Sequence, residues 1–373
     1  MKVGLLTIHD IYNYGSVLQA YATQRSLASL DLDTYIIDYK YPNALHKTNR
    51  SLISELKARS LSFANSALKD LILDRKYSTY CRNYAESKKA WYQLSEKGYP
   101  TRKALLENAP ICDAYVVGSD QVWHPRSAAN DPSFFLDFAP AGCRKISYAS
   151  SFGATSIPRE LFDNYRAGLL SLDFISVREK SGVKLVRELT GRNAELVLDP
   201  TLLLTREEWM AQAVFPPIDK PYILCYGANS RSTYMERLAL HIQRHTGWKI
   251  VRINGTFFDA FDRKIDYVLD AGPREWLGYM SNAALIIGQS FHATAFAVNF
   301  GKPFVSLLRG LPDHDSRQRD FLDMVGCGEN IIVCGEPMPD IKSINFFPEK
   351  PRTESILCEL RESSFEFLAK TLS

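Results

Sequence analysis

The sequence predicts an α/β protein with two domains, each built around a parallel sheet. In both halves of the chain, short segments rich in β-branched residues alternate with amphipathic segments, which is typical of strand–helix units. The 373 residues are enough for about two domains of ordinary size. Three prolines in FPPIDKP interrupt the alternation and mark a boundary between the two regions.

Six candidate strands lie in the first half of the chain and four in the second. Those in the first half are KVGLLTI, TYIIDY, ICDAYVVG, KISYAS, DFISV and AELVLD. Those in the second half are PYILCYG, KIVRING, ALIIG and PFVSLL. Segments with helical spacing of apolar residues separate most of them. We assign residues 1–204 to an N-terminal domain, 205–220 to a linker, 221–350 to a C-terminal domain and 351–373 to a final helix that packs on either domain.

Residues 40–103 break this alternation with polar, helical sequence, and we expect a helical insert in the N-terminal domain. The segment contains 14 Lys and Arg against 5 Asp and Glu, a local balance of +9 that leaves −6 for the rest of the chain. One interpretation is a solvated helical face. The other is a basic surface that attracts anionic lipid headgroups or a polyphosphate-linked acceptor. Each basic residue near such a surface contributes about 1 kcal/mol to binding.

The composition restricts the class of protein. Lys and Arg number 45 and Asp and Glu 42, so the formal net charge of +3 is too small for a nucleic-acid binder that uses its whole surface. The seven cysteines are widely spaced, which argues against a disulfide framework or a structural zinc site. The N-terminus lacks the apolar core of a signal peptide, and no apolar stretch reaches the ~18 residues of a membrane span. We therefore expect a cytoplasmic protein without a nucleic-acid partner or a metal.

The turn from the first strand into the first helix is a candidate anion site. It consists of Asn13, Tyr14, Gly15 and Ser16. In an open α/β sheet, loops at the carboxyl ends of strands face the ligand crevice, and the N–H groups of a helix N-terminus favour anions there. The alternative is a purely structural turn, since closing a strand-to-helix turn also needs Gly and Ser.

A second polar group, Ser119, Asp120 and Gln121, follows the strand in ICDAYVVG. These side chains should open into the same crevice. Asp120 is a candidate to orient a sugar hydroxyl or to act as a base. An Asx turn or a helix cap would explain the same aspartate equally well.

Two charged residues end later strands of the first half. Arg178 follows DFISV and opens a helix, where its permanent charge and the backbone N–H groups would suit a carboxylate or a phosphate. Its alternative is a salt bridge to a neighbouring carboxylate such as Glu179. Asp199 in VLDPTLLL is either a site residue or only a turn former.

The stretch ALIIGQSFHATAFAVNFGKPFV is the most informative in the second half. Its strand leads into a helix that starts near Ser290, so His292 lies in the first turn and faces the cleft between the domains. A helix N-terminus lowers the pKa of a histidine, and a neutral imidazole can exchange protons near pH 7. The alternative is that His292, as a single histidine, has only a structural role. Arg309, Arg317 and Arg319 follow, either as partners for an anionic ligand or as ordinary surface charge.

Taken in order, these motifs resemble the polysaccharide pyruvyl transferase family from residue 3 to about residue 326. The matching segments are NYGSVLQAY, VGSDQVW, SYASSFG, SVRE, VLDPTLL and SFHATAFAVNFGKPFV. The resemblance implies two Rossmann-like domains in a GT-B-like arrangement, with the active site in the interdomain cleft. It also implies transfer of pyruvate from phosphoenolpyruvate, as co-substrate, to two hydroxyls of a sugar. The product is a cyclic ketal on a bacterial surface polysaccharide such as an exopolysaccharide or capsule, or on its precursor. The resemblance further implies that no metal is needed, and we expect no cofactor besides phosphoenolpyruvate as co-substrate.

The resemblance also implies roles for single residues. Arg178 would bind the donor anion, and His292 would be the site histidine. Some branches of the family carry Arg-Leu-His where this chain has Ser290-Phe291-His292, so one donor-site arginine is missing here. Arg317 is our candidate replacement. We expect His292 and Asp120 to transfer protons while Arg178 and Arg317 hold the anions of phosphoenolpyruvate.

Two other functions fit the same sequence features. A GT-B fold also supports a glycosyltransferase that uses a nucleotide sugar, because a fold does not determine a reaction. The chain is alternatively a non-catalytic subunit of a polysaccharide assembly complex. For the transferase we expect a lipid-linked oligosaccharide as acceptor, with peripheral contact at the anionic inner face of the cell membrane.

Overall fold

The computed structural model describes residues 1–40, 66–126, 131–227, 232–253, 264–344, 346 and 350–373. Within these ranges the chain forms two parallel sheets, each flanked by helices. None of the helices in these ranges is long and apolar enough to span a bilayer. All seven cysteines are free.

The first sheet has seven parallel strands in the order β3-β2-β1-β4-β5-β6-β7. Its strands are β1 (Lys2–Leu6), β2 (Asp33–Tyr39), β3 (Leu94–Tyr99), β4 (Ala114–Val117), β5 (Arg144–Ser150), β6 (Phe174–Val177) and β7 (Glu195–Leu196). The helices associated with it are α1 (Tyr14–Ala28), α2 (Ser66–Trp91), α3 (Arg102–Glu107), α4 (Phe162–Leu170) and α5 (Lys180–Thr190). The strand order reverses between β1 and β4, and at such a point the following loops separate and leave a ligand crevice.

The second sheet has six parallel strands in the order β10-β9-β8-β11-β12-β13. Its strands are β8 (Tyr222–Tyr226), β9 (Lys249–Ile253), β10 (Asp266–Val268), β11 (Leu285–Gly288), β12 (Phe304–Leu308) and β13 (Ile331–Val333). The helices associated with it are α7 (Thr233–Thr246), α8 (Pro273–Asn282), α9 (Phe291–Asn299) and α10 (Pro312–Met324). The short helix α6 (Arg206–Met210) lies between the two sheets in the sequence, and α11 (Lys350–Leu372) ends the chain.

The central strands are buried on both faces because helices cover each side of both sheets. Every residue of β4 and of β8 is buried, as are Val3 to Leu6 of β1. These strands are continuous apolar runs rather than alternating ones, and their burial contributes on the order of 1.5–3 kcal/mol for each large apolar side chain. The carboxyl end of each central strand is thereby held in a fixed position, with its following loop at the cleft.

Hydrogen bonds join the two sheet units directly. The Tyr14 hydroxyl donates to the Ala271 carbonyl oxygen at 2.7 Å, and the Lys180 N–H donates to an Asp320 carboxylate oxygen at 2.9 Å. The last helix adds a third connection. In α11, Arg361 donates to the carbonyl oxygen of Leu202 at 2.6 Å and to the side-chain oxygen of Asn299 in α9 at 2.7 Å.

Three edge strands, β3, β10 and β13, do not appear among the strands that the sequence predicts. They have six, three and three residues, and most of their side chains are partly exposed. An edge strand pairs on one side only, so it needs no continuous apolar run. Sequence patterning therefore identifies the buried strands and misses these edges.

The basic segment is not helical throughout. Its described part contains the helix α2 but also β3, which pairs with β2 at the edge of the first sheet. Several of its basic side chains contact carboxylates of the protein: Lys40 and Lys88 lie 2.6 and 2.7 Å from Asp10, and Lys76 lies 3.6 Å from Asp270. These pairs reduce the charge available to a membrane. Residues 41–65 of the segment lie outside the described ranges.

Candidate active site

Two helices, one from each sheet unit, direct their N-termini at a common cavity. The helix α1 follows β1, and the side chain of its cap residue Asn13 accepts a hydrogen bond from the Ser16 N–H at 3.2 Å. The helix α9 follows β11, and the Ser290 hydroxyl accepts from the Ala293 N–H at 3.1 Å. Both cap residues line the cavity. Its electrostatic potential is therefore favourable to an anion from two directions.

The cavity has a volume of about 250 Å³. Nine residues that the sequence analysis names as candidates line it: Asn13, Gly15, Ser16, Asp120, Gln121, Ser290, His292, Arg309 and Arg317. It is also lined by His124, Tyr226, Gln289, Phe291, His314, Asp315 and Gln318. Arg319, the third arginine of its stretch, is exposed and is not part of this lining.

His292 packs directly on Gly15 of the opposite unit. A Cβ atom at position 15 would lie 2.0 Å from the His292 Nδ1, so only glycine leaves room for this imidazole. The His292 side chain is 12% exposed, and its Nε2 lies 3.9 Å from a carboxylate oxygen of Asp199. Burial lowers the pKa of His292, and the positive charges of Arg178 and Arg317 act in the same direction. The imidazole is therefore neutral at pH 7, as an acid/base group requires.

Asp120 is held by both of its carboxylate oxygens. One accepts from the Ser16 hydroxyl at 2.5 Å, and the other accepts from the Gln121 N–H at 2.8 Å. The second bond goes to the N–H of the next residue, one position short of the contact that defines an Asx turn, and the backbone of Asp120 adopts φ 61°, in the left-handed region. Asp120 nevertheless lines the cavity, so the structural and the functional interpretations both apply to it.

Arg178, which the resemblance assigns to the donor anion, does not line the cavity. Its side chain is 0% exposed, and its Nη1 donates to an Asp199 carboxylate oxygen at 2.5 Å. The guanidinium carbon lies 4.8 Å from the centre of the Phe291 ring, and Glu179 is farther away at 3.8 Å. A buried charge needs a close counterion, which explains why Arg178 points toward Asp199. The predicted salt bridge is present, with Asp199 as its nearest partner.

Asp199, Ser119 and Tyr14 are also buried away from the cavity. Burial alone would raise the pKa of Asp199. The neighbouring Arg178 and His292 outweigh this effect, so the pKa of Asp199 lies below its ordinary value. Asp199 also caps the turn that follows it, because its other oxygen accepts from the Thr201 N–H at 3.0 Å. The Ser119 hydroxyl lies 3.3 Å from Asp199, and the Tyr14 hydroxyl is bonded to the backbone of the second unit. These three residues, which the sequence predicts to bind substrate, form hydrogen bonds within the protein.

Arg317, the candidate replacement arginine, does line the cavity. The Gln121 amide oxygen, in the orientation that satisfies both groups, accepts from its Nη2 at 2.7 Å and from its Nη1 at 3.2 Å. Burial and the neighbouring Arg178 lower the pKa of Arg317 to about 10, so it remains charged at pH 7. Its Nε has no hydrogen-bond partner among the described residues. A neutral amide therefore fixes a cation whose charge is not cancelled by a close carboxylate.

Several lining residues were not predicted as site residues. His124 lies within the same segment, VVGSDQVWHP, as Asp120, and this common origin was the signal available in the sequence. Burial lowers its pKa, as does the nearby Arg317. Tyr226 ends β8, and Gln289 follows β11, so the strand-end rule that identified Asp120 also applies to them. His314 lies in the first turn of α10, which follows β12, so the same rule applies to it as to His292 in α9.

The site thus contains two groups of residues. We call Ser119, Arg178, Glu179 and Asp199 the buried cluster. We call Gln121, His124, Arg309, His314 and Arg317 the cavity cluster. Within the described part of the chain, no three His, Cys, Asp or Glu side chains converge in a way that could hold a metal ion.

Comparisons with known proteins agree with this architecture. The family model for polysaccharide pyruvyl transferase matches residues 13–309. No curated protein matches the chain significantly.

Among solved structures, Arabidopsis thaliana UGT89C1 complexed with UDP-L-rhamnose has a TM-score of 0.53 at 8% identity, over 99% of this chain and 98% of that one. TcCGT1 in complex with UDP has a TM-score of 0.50 at 10% identity, with the same coverage of 99% and 98%. The UDP-GlcNAc 2-epimerase from Methanocaldococcus jannaschii has a TM-score of 0.49 at 15% identity, over 96% and 99%. At this identity the first two likenesses show the fold alone. The predicted pair of Rossmann-like domains in a GT-B arrangement is confirmed.

Proposed function

The chain belongs to the polysaccharide pyruvyl transferase family, and from that premise we propose that it transfers pyruvate from phosphoenolpyruvate to two hydroxyls of one sugar. The observation that carries the proposal is the convergence of two helix N-termini and Arg317 on one cavity. Phosphoenolpyruvate carries a phosphate and a carboxylate within one small molecule. Two helix N-termini and an arginine that lacks a close carboxylate match such a doubly anionic donor.

The reaction requires two proton transfers. In the first step, a sugar hydroxyl adds to C2 of phosphoenolpyruvate while its proton is transferred to C3, which becomes a methyl group. In the second step, phosphate leaves from C2, and a second hydroxyl of the same sugar bonds to that carbon. The proton of the second hydroxyl ends on the phosphate. The products are a cyclic ketal and inorganic phosphate, and no oxidant or reductant is needed.

His292 and Asp120 are suited to these two transfers. The neutral imidazole of His292 takes the proton of the first hydroxyl, and its lowered pKa then makes the imidazolium a strong enough acid to protonate C3. The Asp120 carboxylate lines the same cavity, takes the second hydroxyl proton as the ring closes and passes it to the departing phosphate. Ser16, which donates to Asp120, orients that carboxylate.

Arg178 acts from behind the cavity in this mechanism. It neutralises Asp199, and its charge is one of the causes that lower the pKa of His292. We therefore assign Arg178 a positioning and electrostatic role, and direct contact with the donor to Arg317. In the proposed reaction neither a metal nor an organic cofactor takes part.

The acceptor in this proposal is a sugar of a surface polysaccharide precursor, carried as a lipid-linked oligosaccharide. Such an acceptor lies at the inner face of the cell membrane. The basic segment of residues 40–103 would then contribute peripheral, salt-dependent contact with anionic lipid.

The test is incubation of the full chain with phosphoenolpyruvate and lipid-linked oligosaccharides from the source organism. We expect release of inorganic phosphate and an acceptor whose mass increases by one pyruvate ketal, and we expect neither with His292→Ala. Nucleotide sugars are supplied in a parallel reaction. Sugar transfer from a nucleotide sugar, without consumption of phosphoenolpyruvate, would establish the glycosyltransferase alternative and contradict the proposal. A chain that is folded but inactive with every donor would indicate a non-catalytic subunit.

A further inference from the structure

A second cavity adjoins the candidate active site. Its volume is about 540 Å³, and it is lined by Ser232, Thr233, Tyr234, Arg237, Gln289, Arg309, Cys334 and Gly335. Gln289 and Arg309 line both cavities. These two residues follow β11 and β12, so the second cavity lies at the same sheet edge as the first. One elongated ligand can therefore occupy both.

The second cavity carries uncompensated positive charge. The side chains of Arg237 and Arg309 form no hydrogen bond or ion pair with the described residues, and none of the lining residues is acidic. Both carboxylates that follow Arg309 closely in sequence already have partners. Asp313 accepts from the Thr155 hydroxyl, and the two oxygens of Asp315 accept from the N–H groups of Arg309 and Leu311 at 2.9 Å each. Two unpaired guanidinium groups on one cavity provide the forked donors that suit a phosphate.

We infer that this second cavity binds the phosphate through which the acceptor sugar is attached to its carrier. The inference rests on the proposed function, since it assigns the first cavity to phosphoenolpyruvate and to the reacting hydroxyls. Gln289 and Arg309, which line both cavities, then lie between the reacting hydroxyls in the first cavity and the phosphate in the second. The acceptor is a phosphate-linked sugar and not a neutral finished polymer.

Two carriers present the same chemistry. A nucleoside diphosphate sugar and a polyprenyl diphosphate sugar both place a diphosphate next to the first sugar ring. The arginines would recognise that diphosphate in either case. Experiments with both acceptors are needed to identify the carrier, and the free sugar provides the comparison.

The first test measures binding without catalysis. Inorganic pyrophosphate is titrated into the full chain by calorimetry while phosphoenolpyruvate saturates the first cavity. We expect binding, and we expect Arg237→Gln to weaken it by about tenfold or more, as for the loss of a charge-assisted hydrogen bond. Arg244→Gln is the matched control, because Arg244 is an exposed arginine of the same helix α7 and lines neither cavity. Loss of pyrophosphate binding under saturating phosphoenolpyruvate, or equal affinities in the two variants, would overturn the inference.

The second test measures turnover with three acceptors: a nucleoside diphosphate sugar, a polyprenyl diphosphate sugar and the same sugar unlinked. Arg237→Gln should raise KM for a phosphate-linked acceptor and leave KM for phosphoenolpyruvate unchanged. Whichever linked acceptor shows this effect identifies the carrier. If the unlinked sugar reacts as well as the linked ones, the inference is wrong and the proposed function stands. If no acceptor yields a ketal, the proposed function is wrong, and the pyrophosphate titration still decides whether the second cavity binds phosphate.

Discussion

Two arginines near the candidate active site show how differently the same side chain behaves in two environments. Arg178, in the buried cluster, is fully enclosed and lies 2.5 Å from the Asp199 carboxylate. Arg317, in the cavity cluster, is held by the neutral amide of Gln121 and lines the cavity. The partner determines what each charge can do. A guanidinium paired with a carboxylate stabilises the protein, whereas one held by an amide retains a net charge for a ligand.

The largest expected effect follows from removing the buried arginine. Arg178→Ala leaves the Asp199 carboxylate buried without its counterion, which should lower the free energy of unfolding by about 3–5 kcal/mol. Arg317 forms no ion pair as close as that between Arg178 and Asp199, so Arg317→Ala should lower the free energy of unfolding much less. Urea denaturation of both variants measures the difference. A stable Arg178→Ala protein with a raised KM for phosphoenolpyruvate would show that Arg178 binds the donor after all.

The next largest effect concerns His292, which lies between the two clusters. His292→Ala should lower kcat by the ~10²- to 10⁴-fold typical of a lost general acid or base, with KM for phosphoenolpyruvate less affected. His292→Asn and His292→Gln keep a hydrogen bond but cannot titrate at neutral pH. We expect both amide variants to be as impaired as the alanine variant. Near-normal turnover in either would mean that the proton passes through Asp120 or another group.

The comparison also explains which site residues could be predicted from the sequence. The strand-end rule identified residues at the correct edge of the sheets, and Asp120, Gln121 and His292 do line the cavity. The rule predicts at which edge of the sheet a residue lies, but not how deeply its side chain is buried. Arg178 and Asp199 follow the neighbouring strands β6 and β7, where opposite charges pair with each other and become buried. Depth depends on contacts between distant segments, which a local pattern does not contain.

The same reasoning applies to the fold. The buried parallel strands β1, β4 and β8 are continuous apolar runs, so the sequence predicts them and the order of the strand–helix units. The strand β3 lies in the polar segment of residues 40–103 and pairs only with β2. Its register depends on the neighbouring strand and not on its own composition. The sequence therefore predicted helix where the sheet gains an edge strand.

A smaller effect should follow from filling the space that Gly15 leaves for His292. In Gly15→Ala the added methyl group would overlap the imidazole and displace it. A displacement of about 1 Å from the reacting geometry can cost about 10²-fold in rate, so kcat should fall by roughly that factor. A double-mutant cycle provides the control. Adding Gly15→Ala to His292→Ala should change kcat little, because no imidazole remains to be displaced. Two fully additive losses would show that Gly15 acts independently of His292.

Removal of the cavity arginine should affect donor binding more than stability. Arg317→Gln deletes the charged donor that the proposed function places on phosphoenolpyruvate in the ground state and the transition state, so KM for phosphoenolpyruvate should rise by about tenfold or more. Arg319→Gln is the matched control, since Arg319 is exposed on the same helix α10 and does not line the cavity. Initial rates over a range of donor concentrations measure both constants. Equal KM values for the two variants would contradict the assignment of Arg317 to the donor.

The smallest expected effect is a shift in the pH profile. Burial and the charges of Arg178 and Arg317 lower the pKa of His292, so kcat should fall only below the ordinary histidine range, as acid protonates the imidazole. Removing the positive charge in Arg317→Gln makes protonation easier, which should move this acid limb to higher pH by about one unit or less. The comparison is made at saturating donor between wild type, Arg317→Gln and Arg319→Gln, so that ionisation of the donor phosphate cancels. Arg319→Gln should leave the limb in place. A limb that does not move in Arg317→Gln, or that moves to lower pH, would show that the titrating group is not a histidine next to Arg317.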